Sequence, residues 1–375
     1  MSVLVFLVAS LVSAATSASA QEDIIIRSIP IADEAVVLSA TEMPEVQRRA
    51  EAGESEAQYL LGVAYRQGGA LGAQDDAQAL EWFRRAADHG FPKAETALGD
   101  AYVFGKGVSQ DYAEAARWYS KAAQQGDAIA TNDLGLLYHL GKGVRRSESR
   151  AAELFSESAR KGVAVAQCTL GFMYRKGEGV RRDLAKAAEL QRAAAGQGLA
   201  EAENELGVMY LSGEGVPRDV AEALRWIAAG ARQGEPHAQN NLGYLYRTGT
   251  GVKQDFAEAL RWLTAAAEQR NPAAQANLGD MYATGRGVPL DYVEAYKWLS
   301  LAAAQNFRPA DQARRNIAEI MTKDQLSAAG IRISEWQQHY LDVTGGYRPH
   351  YHLQEPGWMN QKRGVETDYL VESDE

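Results

Sequence analysis

The fold of this chain is decided by a stretch of residues that recurs along it. Residues 202–234 read AENELGVMYLSGEGVPRDVAEALRWIAAGARQG, and similar stretches occur on both sides at intervals of 36 residues, with one interval of 37. The alanine that opens each copy is found at Ala57, Ala94, Ala130, Ala166, Ala202, Ala238 and Ala274. A fixed internal period predicts units that stack into one elongated body rather than separate globular domains.

The first half of each unit has the pattern of an α-helix. Ala202, Leu206 and Tyr210 are four residues apart, so they share one face of a helix. Gly207 lies in the middle of that helix, where glycine costs about 1 kcal/mol relative to alanine. Because every copy has a glycine at this place, we expect another helix to approach closely there.

The second half of each unit is predicted to be a helix that runs back along the first. Residues 213–216, GEGV, have two glycines that allow the backbone to reverse direction. Asp219 is placed to cap the second helix, and Glu222, three residues later, completes the pattern of a capping box. Trp226 is expected in the buried stripe of this helix. One unit is thus a helical hairpin that must stack to bury its apolar faces.

These residues carry a resemblance to a known family. The run A-x3-LG-x2-Y-x2-G-x-GV-x2-D-x3-A-x2-W-x3-AA-x2-G is similar to the Sel-1-like repeat, a relative of the tetratricopeptide repeat. Leu154 and Leu190 replace the tryptophan in the third and fourth copies. The resemblance implies an all-α, right-handed α-solenoid of about seven 36-residue helix-turn-helix repeats with terminal caps. It also implies a binding scaffold, such as a periplasmic regulator or an envelope or polysaccharide assembly factor.

The segments outside the repeats differ in composition. Residues 1–20 contain a short apolar stretch from Val3 to Val12, followed by the small residues Ala18-Ser19-Ala20 as a cleavage pattern, which is typical of a signal peptide. We therefore expect export, to a bacterial periplasm or to the medium, and no stable membrane span after cleavage. The predicted division of the chain is signal peptide 1–20, irregular arm 21–43, capping half-repeat 44–56, seven repeats 57–309, C-terminal capping helices 310–343 and an acidic, partly disordered tail 344–375.

Composition and rare residues argue against several functions. The net charge of -10 argues against a nucleic-acid partner, because phosphate binding requires a basic surface. His350 and His352 have no paired carboxylate or cysteine motif, so we expect no metal site, and no cofactor or catalytic residue is predicted. Cys168 is the only cysteine. A cysteine-rich branch of the resembling family has been linked to β-lactam binding, and the lack of paired cysteines argues against that activity here.

A candidate binding surface lies on the first helices, opposite their buried stripe. Positions 204, 208 and 211 fall on this side, which faces the concave groove in a tetratricopeptide-like stack. Position 208 and its equivalents are apolar in the middle repeats, and amides, histidine and arginine lie beside them. The predicted partner-binding groove comprises Asn132, Leu136, His139, Phe172, Arg175, Asn204, Val208, Leu211, Asn240, Tyr244 and Arg247.

A row of apolar side chains flanked by amides and guanidinium groups suits a protein or peptide segment. The alternative is that neighbouring repeats or a terminal arm cover the row. The sequence therefore predicts a non-catalytic protein–protein interaction scaffold in the cell envelope. Two other interpretations stay open: an enzyme acting on cell-wall or β-lactam substrates, and a secreted factor that binds host proteins.

Overall fold

The computed structural model describes residues 41–68 and 71–343. Within these residues the chain forms 17 α-helices and no β-strand, as the periodicity predicts. The helices are α1 Met43–Glu51, α2 Ser55–Gln67, α3 Asp76–Asp88, α4 Pro92–Phe104, α5 Tyr112–Gln124, α6 Ala128–Leu140, α7 Glu148–Arg160, α8 Ala164–Lys176, α9 Leu184–Ala195, α10 Ala200–Ser212, α11 Val220–Arg232, α12 Pro236–Thr248, α13 Phe256–Glu268, α14 Pro272–Thr284, α15 Tyr292–Ala303, α16 Arg308–Ala318 and α17 Lys323–Val343.

The helices from α2 to α15 form seven consecutive pairs, one for each repeat of the sequence. Within a repeat the two helices pack on each other, and the second helix also packs on the first helix of the next repeat. First helices of successive repeats contact one another as well, as α10 and α12 do. The architecture is an all-α solenoid, which confirms the prediction from the repeats.

The recurrent glycine marks the closest approach between the two helices of a repeat. A Cβ placed on Gly207 would lie 2.5 Å from Ile227 Cγ1 and 2.9 Å from the carbonyl oxygen of Ala223. This crowding confirms the reason that we inferred for the glycine. Ile227 is fully buried, whereas Trp226 is only half-buried and lies beneath the guanidinium group of Arg225. Trp226, expected in the buried stripe, thus lies at its edge and packs against a hydrophobic core, while Ile227 takes the fully buried position.

The capping boxes predicted within the repeats are only half present, as the one at Asp219 shows. The Asp219 side chain accepts hydrogen bonds from the backbone N–H groups of Ala221 and Glu222. However, the Asp219 N–H donates to the Tyr210 carbonyl oxygen at 3.0 Å, so it is not available to Glu222. Glu222 instead accepts a hydrogen bond from Arg225. The turn between the two helices thus satisfies the donor that a capping box would use.

Additional helices cover both ends of the array. At the N-terminal end, Met43 and Val46 of α1 pack into a core with residues of α2. At the C-terminal end, α17 places Trp336 edge-on against Trp298, with ring centroids 6.0 Å apart. Arg332 of α17 also forms ion pairs with acidic residues of the last repeat. These contacts cover apolar surface that a further repeat would otherwise bury.

Several predictions fall outside the described residues. The signal peptide, most of the arm, and the tail with His350 and His352 belong to residues 1–40 and 344–375. In the part of the chain that the structure describes, no helix combines the length and the hydropathy needed to cross a bilayer.

Candidate partner-binding site

The predicted groove residues occupy three equivalent positions on successive first helices. Relative to the helix glycine, they lie three residues before it, one residue after it and four residues after it. We call this surface the groove face; in repeat five it consists of Asn204, Val208 and Leu211. The first helices of repeats two and three contact one another, as do those of repeats five, six and seven, so the groove face is continuous within these groups of repeats.

The position one residue after the glycine is not equally exposed along the array. Leu136 and Phe172 have 3% and 7% of their surface exposed and lie in hydrophobic cores. Val208 and Tyr244 are partly exposed. The expected exposure is therefore wrong for Leu136 and Phe172, because neighbouring helices cover them. Binding of a partner by the groove face stays a prediction, now centred on repeats five and six.

The asparagines join first helices to one another. The Asn241 side chain donates to Asn204 Oδ1 at 2.8 Å, and Asn277 donates to Asn240 Oδ1 at 3.0 Å. Asn132 is buried and donates to Asp133 Oδ1 at 3.0 Å. Amide hydrogen bonds between buried side chains fix the register of neighbouring elements. Asn240 thus joins two first helices, and because Asn132 and Asn240 are both buried, their expected exposure to a partner is wrong.

Arg175 holds two acidic residues of the following repeat. Its guanidinium group donates to the carboxylate of Glu205 and, at 2.8 Å, to Glu214 Oε2. Glu205 is almost fully buried, and burial raises its pKa although Arg175 opposes this shift. A buried carboxylate depends strongly on its cationic partner. Arg175 therefore ties repeat four to repeat five at the edge of the groove face.

Arg247 forms the equivalent link on the other side of repeat six. Its Nη1 donates to Asp280 Oδ2 at 2.8 Å, and its guanidinium carbon lies 5.4 Å from the centre of the Tyr244 ring. The side chain is 4% exposed. Among the described residues, Nε and Nη2 have no hydrogen-bond acceptor. Unsatisfied buried donors are unfavourable, so the bond to Asp280 and the contact with the Tyr244 ring are what stabilise this buried side chain.

His139 and Cys168 of the first helices, which could in principle take part in chemistry, are paired with another side chain or buried. His139 Nδ1 lies 2.7 Å from Oε2 of Glu148, which is the first residue of α7. The Cys168 thiol is buried, and this burial raises its pKa well above the ordinary range, which is the opposite of what a nucleophilic cysteine needs. In residues 41–68 and 71–343, no three metal-binding side chains come together.

Together these contacts define an apolar patch between two charged clusters. The patch consists of the partly exposed Val208, Leu211 and Tyr244, and we call it the groove patch. On one side lie Arg175 and its acidic partners, and on the other lie Arg247 and Asp280. An apolar centre with a charged rim is the usual arrangement of a protein-binding surface.

A separate cavity of about 480 Å³ lies between repeats one and two. Its apolar walls are formed by Leu80 and Phe83 of α3 and by Ala97, Ala101 and Phe104 of α4. Its charged lining residues are Arg66, Asp76, Asp100 and Lys106. Phe104 is 43% exposed. We call this space the N-terminal cavity.

The N-terminal cavity has a simple cause in the sequence. Ala101 lies two residues after the helix glycine, and the five later repeats have a large side chain at that position. Each of these side chains is at most 3% exposed; they are Leu137, Met173, Met209, Leu245 and Met281. Leu245, for example, packs against Ile227 of the preceding repeat. Because Ala101 lacks these atoms, space remains above Leu80 and Phe83.

The sequence analysis missed this cavity and the ion pairs beside the groove patch. Both have a signal in the aligned repeats. Ala101 is small where later repeats have leucine or methionine, and Arg247 is followed 33 residues later by Asp280. Arg66 and Asp100 occupy the same two positions in the first two repeats. These pairs become visible when the fourth residue after the glycine of one repeat is compared with the first residue after the glycine of the next. They are not visible when the same position is compared across repeats.

Comparisons with known proteins agree with this architecture. The family model described as Sel1 repeat matches residues 55–91, 92–127, 128–163, 164–199, 200–235, 236–271 and 272–307. The chain is similar to the crystal structure of a Sel1 repeat protein from Oxalobacter formigenes, with 32% identity and a TM-score of 0.57 over 80% of this chain and 86% of that chain. No curated protein matches the chain.

A second solved structure is that of c5321, a protective antigen present in uropathogenic Escherichia coli strains that displays an SLR fold. It is 27% identical, with a TM-score of 0.49 over 92% of this chain and 89% of that chain. The family matches cover every helix pair from α2 to α15. On the helix pairing, the recurrent glycine contact and these seven matches, the chain belongs to the Sel1 repeat family.

Proposed function

We propose that this protein is a non-catalytic scaffold that holds a segment of a partner protein along its groove patch in the cell envelope. Sel1 repeat proteins are generally protein–protein interaction scaffolds and are typically not enzymes. The family supports the general role, whereas the site and the envelope location are our proposal. The location is supported by the signal-peptide pattern of residues 1–20.

One observation carries the assignment of the site. Val208, Leu211 and Tyr244 remain partly exposed on first helices whose other groove positions are largely buried or paired. Apolar surface that stays exposed within an otherwise packed array favours a binding role over a structural one. The charged clusters on both sides would orient a segment that has an apolar centre and polar flanks.

Site-specific crosslinking in cells tests the proposal. A photoreactive phenylalanine analogue is placed at position 208 or 244, and at position 290 as a control. Leu290 is 57% exposed and lies in the turn of the last repeat. We expect one partner to be captured from positions 208 and 244 and not from 290. Equal capture from all three positions would contradict the assignment.

A double variant adds a loss-of-function test. Val208→Asp with Tyr244→Asp places two charges in the groove patch while leaving the buried core unchanged. We expect the crosslinked partner to disappear and the helical circular dichroism signal to stay the same. Phe172 is unsuitable for this purpose because it lies in a core, where a charge would unfold the repeat.

Cell fractionation tests the location separately. If the protein acts in the envelope, most of it remains in the periplasmic fraction. Recovery mainly from the culture medium would instead support the interpretation as a secreted factor that binds host proteins. Recovery in the cytoplasm with residues 1–20 intact would reject export.

A further inference from the structure

We propose that the N-terminal cavity is a second docking point, which receives an uncharged aromatic side chain from a peptide segment of a partner protein. This inference rests on the proposed function as a scaffold and adds a site with a defined preference. It concerns repeats one and two, whereas the groove patch lies in repeats five and six. The argument uses the size, the lining and the charge of the cavity.

The cavity has the size of a binding site rather than of a packing defect. Its volume of about 480 Å³ lies in the range of about 300–1,000 Å³ that is typical of ligand pockets. Voids in protein cores are usually little larger than a water molecule. The volume also exceeds what one buried aliphatic side chain fills, so a large occupant is favoured.

The walls favour an aromatic occupant. Phe83 forms the floor with Leu80, and Phe104 stands partly exposed beside it. The exposed Phe104 ring offers edge and stacking contacts that add to the burial of apolar surface, whereas Phe83 is almost fully buried and one face of its ring is covered by Arg66. An incoming ring would also cover the apolar surface of Phe104, which is exposed to solvent in this structure.

The charges around the cavity favour an uncharged occupant. Lys106 Nζ lies 4.0 Å from Asp76 Oδ2, and Asp76 also accepts a hydrogen bond from Gln74. Tyr119 donates to Asp100 Oδ1 at 2.7 Å. Arg66 lies over the Phe83 ring at 5.2 Å. The two cations and two carboxylates that line the cavity balance in charge, and a charged side chain would lose hydration without gaining a net opposite charge.

The position of the cavity favours a peptide over a small molecule. Asp100 and Arg66 are groove-face positions, one and four residues after the helix glycines. The cavity therefore adjoins the surface along which the proposed partner segment would run. An aromatic side chain in the N-terminal cavity would fix the register of that segment, as anchor residues do in other interfaces.

Peptide selection followed by measured affinities tests the proposal. A phage library of random twelve-residue peptides is selected on the full chain, and the affinity of each selected peptide is measured by fluorescence polarisation. We expect peptides that share an aromatic residue, with at least a tenfold loss of affinity when that residue is replaced by alanine. Ala101→Leu and Phe104→Ser should each weaken binding at least tenfold. Leu290→Ser is the control and should leave it unchanged.

Four results would overturn the assignment, and each is distinct. If the selected peptides bind Ala101→Leu as tightly as the unchanged protein, the cavity is not a binding site. That result leaves the groove patch untouched, because the crosslinking experiment tests it separately. Peptides without an aromatic residue, or with an essential charge in the cavity, would reject the stated chemistry. Binding of free indole that depends on Ala101, without any selected peptide, would make this a small-molecule site. Displacement of the selected peptides by a synthetic peptide of residues 21–40 would make the chain its own occupant.

Discussion

The junction between repeats one and two and the junction between repeats five and six have the same helices but different interiors. At the first junction, Leu80 of α3 faces Ala101 of α4. At the second, Leu224 of α11 and Leu245 of α12 lie in one core. Leu245 is 1% exposed, and the equivalent space beside Ala101 is part of the N-terminal cavity. The side chain two residues after the helix glycine is thus one clear difference between the open and the closed junction.

This difference shows how a repeat array can gain a site without changing its fold. The backbone is set by the alanine and glycine positions that recur in every unit and by the capping position, which is aspartate in all units except the third, where it is Ser147. Those positions are the same at both junctions. Function can therefore vary at positions that the stacking does not fix, such as the second residue after the helix glycine. The following predictions test or sharpen this comparison, from the largest expected effect to the smallest.

The largest effect is expected from opening the closed junction. Leu245→Ala gives repeats five and six the same pair of residues that repeats one and two have. It removes buried atoms and leaves a cavity, so we expect the free energy of unfolding to fall by about 2–5 kcal/mol. Urea denaturation followed by circular dichroism measures it. Leu211→Ala is the control, because Leu211 is only partly buried against the same core as Leu245. We expect it to lower the free energy of unfolding by less; an equal decrease would contradict the packing argument.

Arg175→Met should lower the free energy of unfolding by about 3 kcal/mol, because it leaves the buried Glu205 without its cation. Arg175 occupies in repeat four the position that Arg66 has beside the cavity. The effect should depend on pH. Burial raises the pKa of Glu205 above its ordinary value of 4.5, so the native carboxyl keeps its proton to higher pH than the unfolded one, and stability falls as pH rises above 4.5.

Loss of Arg175 raises the pKa of Glu205 further, so this decline extends to higher pH in the variant. Urea unfolding at pH 5 and at pH 8 should therefore show a larger destabilisation at pH 8. Arg225→Met removes the cation of an exposed pair with Glu222 and serves as the control, with an expected loss below about 1 kcal/mol. A destabilisation of Arg175→Met that is the same at both pH values would show that Glu205 does not titrate in this way.

Closing the open junction should have a smaller effect of opposite sign. Ala101→Leu places apolar atoms in the N-terminal cavity, so we expect the free energy of unfolding to rise by about 1 kcal/mol. Thermal melting and urea denaturation both report it. A loss of more than about 1 kcal/mol would mean that the cavity walls do not accept the added side chain. Leu245→Ala and Ala101→Leu thus make opposite changes at the same position of the repeat, and we expect opposite changes in the free energy of unfolding.

The smallest effect on stability is expected from Phe104→Ser. Repeat five has Ser212 at the position of Phe104, and Phe104 is 43% exposed. Because exposed substitutions away from the core change stability little, we expect a change within about 0.5 kcal/mol. Its effect on peptide affinity should nevertheless be large. A variant that is destabilised as strongly as Leu245→Ala would indicate that Phe104 supports the fold rather than the site.

The fold was predictable because its determinants recur. Gly207 and its equivalents require the same close contact in each repeat, so one sequence position reports on the whole array. The caps were less predictable. The Asp219 N–H is used by Tyr210, a contact made across the turn that spacing alone does not show. Trp226 and Ile227 are adjacent, and sequence could not decide which one faces the interior.

The site was only partly predictable, because burial of the groove face depends on neighbouring repeats. Phe172 and Val208 occupy the same position in adjacent repeats, yet Phe172 is in a core and Val208 is partly exposed. The pattern within one repeat cannot separate them, since the covering residues belong to other helices. The same holds for Glu205, whose burial and ion pair with Arg175 join two repeats.

Some contacts on the groove face join residues of two neighbouring repeats, so they depend on the order in which the repeats follow one another. At two junctions the fourth residue after one glycine and the first residue after the next match in character: Arg247 forms an ion pair with Asp280, and the apolar Leu211 is followed by Tyr244. Excision of residues 200–235 would preserve the 36-residue period and the stacking, but it would remove Glu205 and Glu214, the two carboxylates that Arg175 binds. The units are therefore not interchangeable, and duplication or loss of a unit during evolution would require its neighbours to change with it.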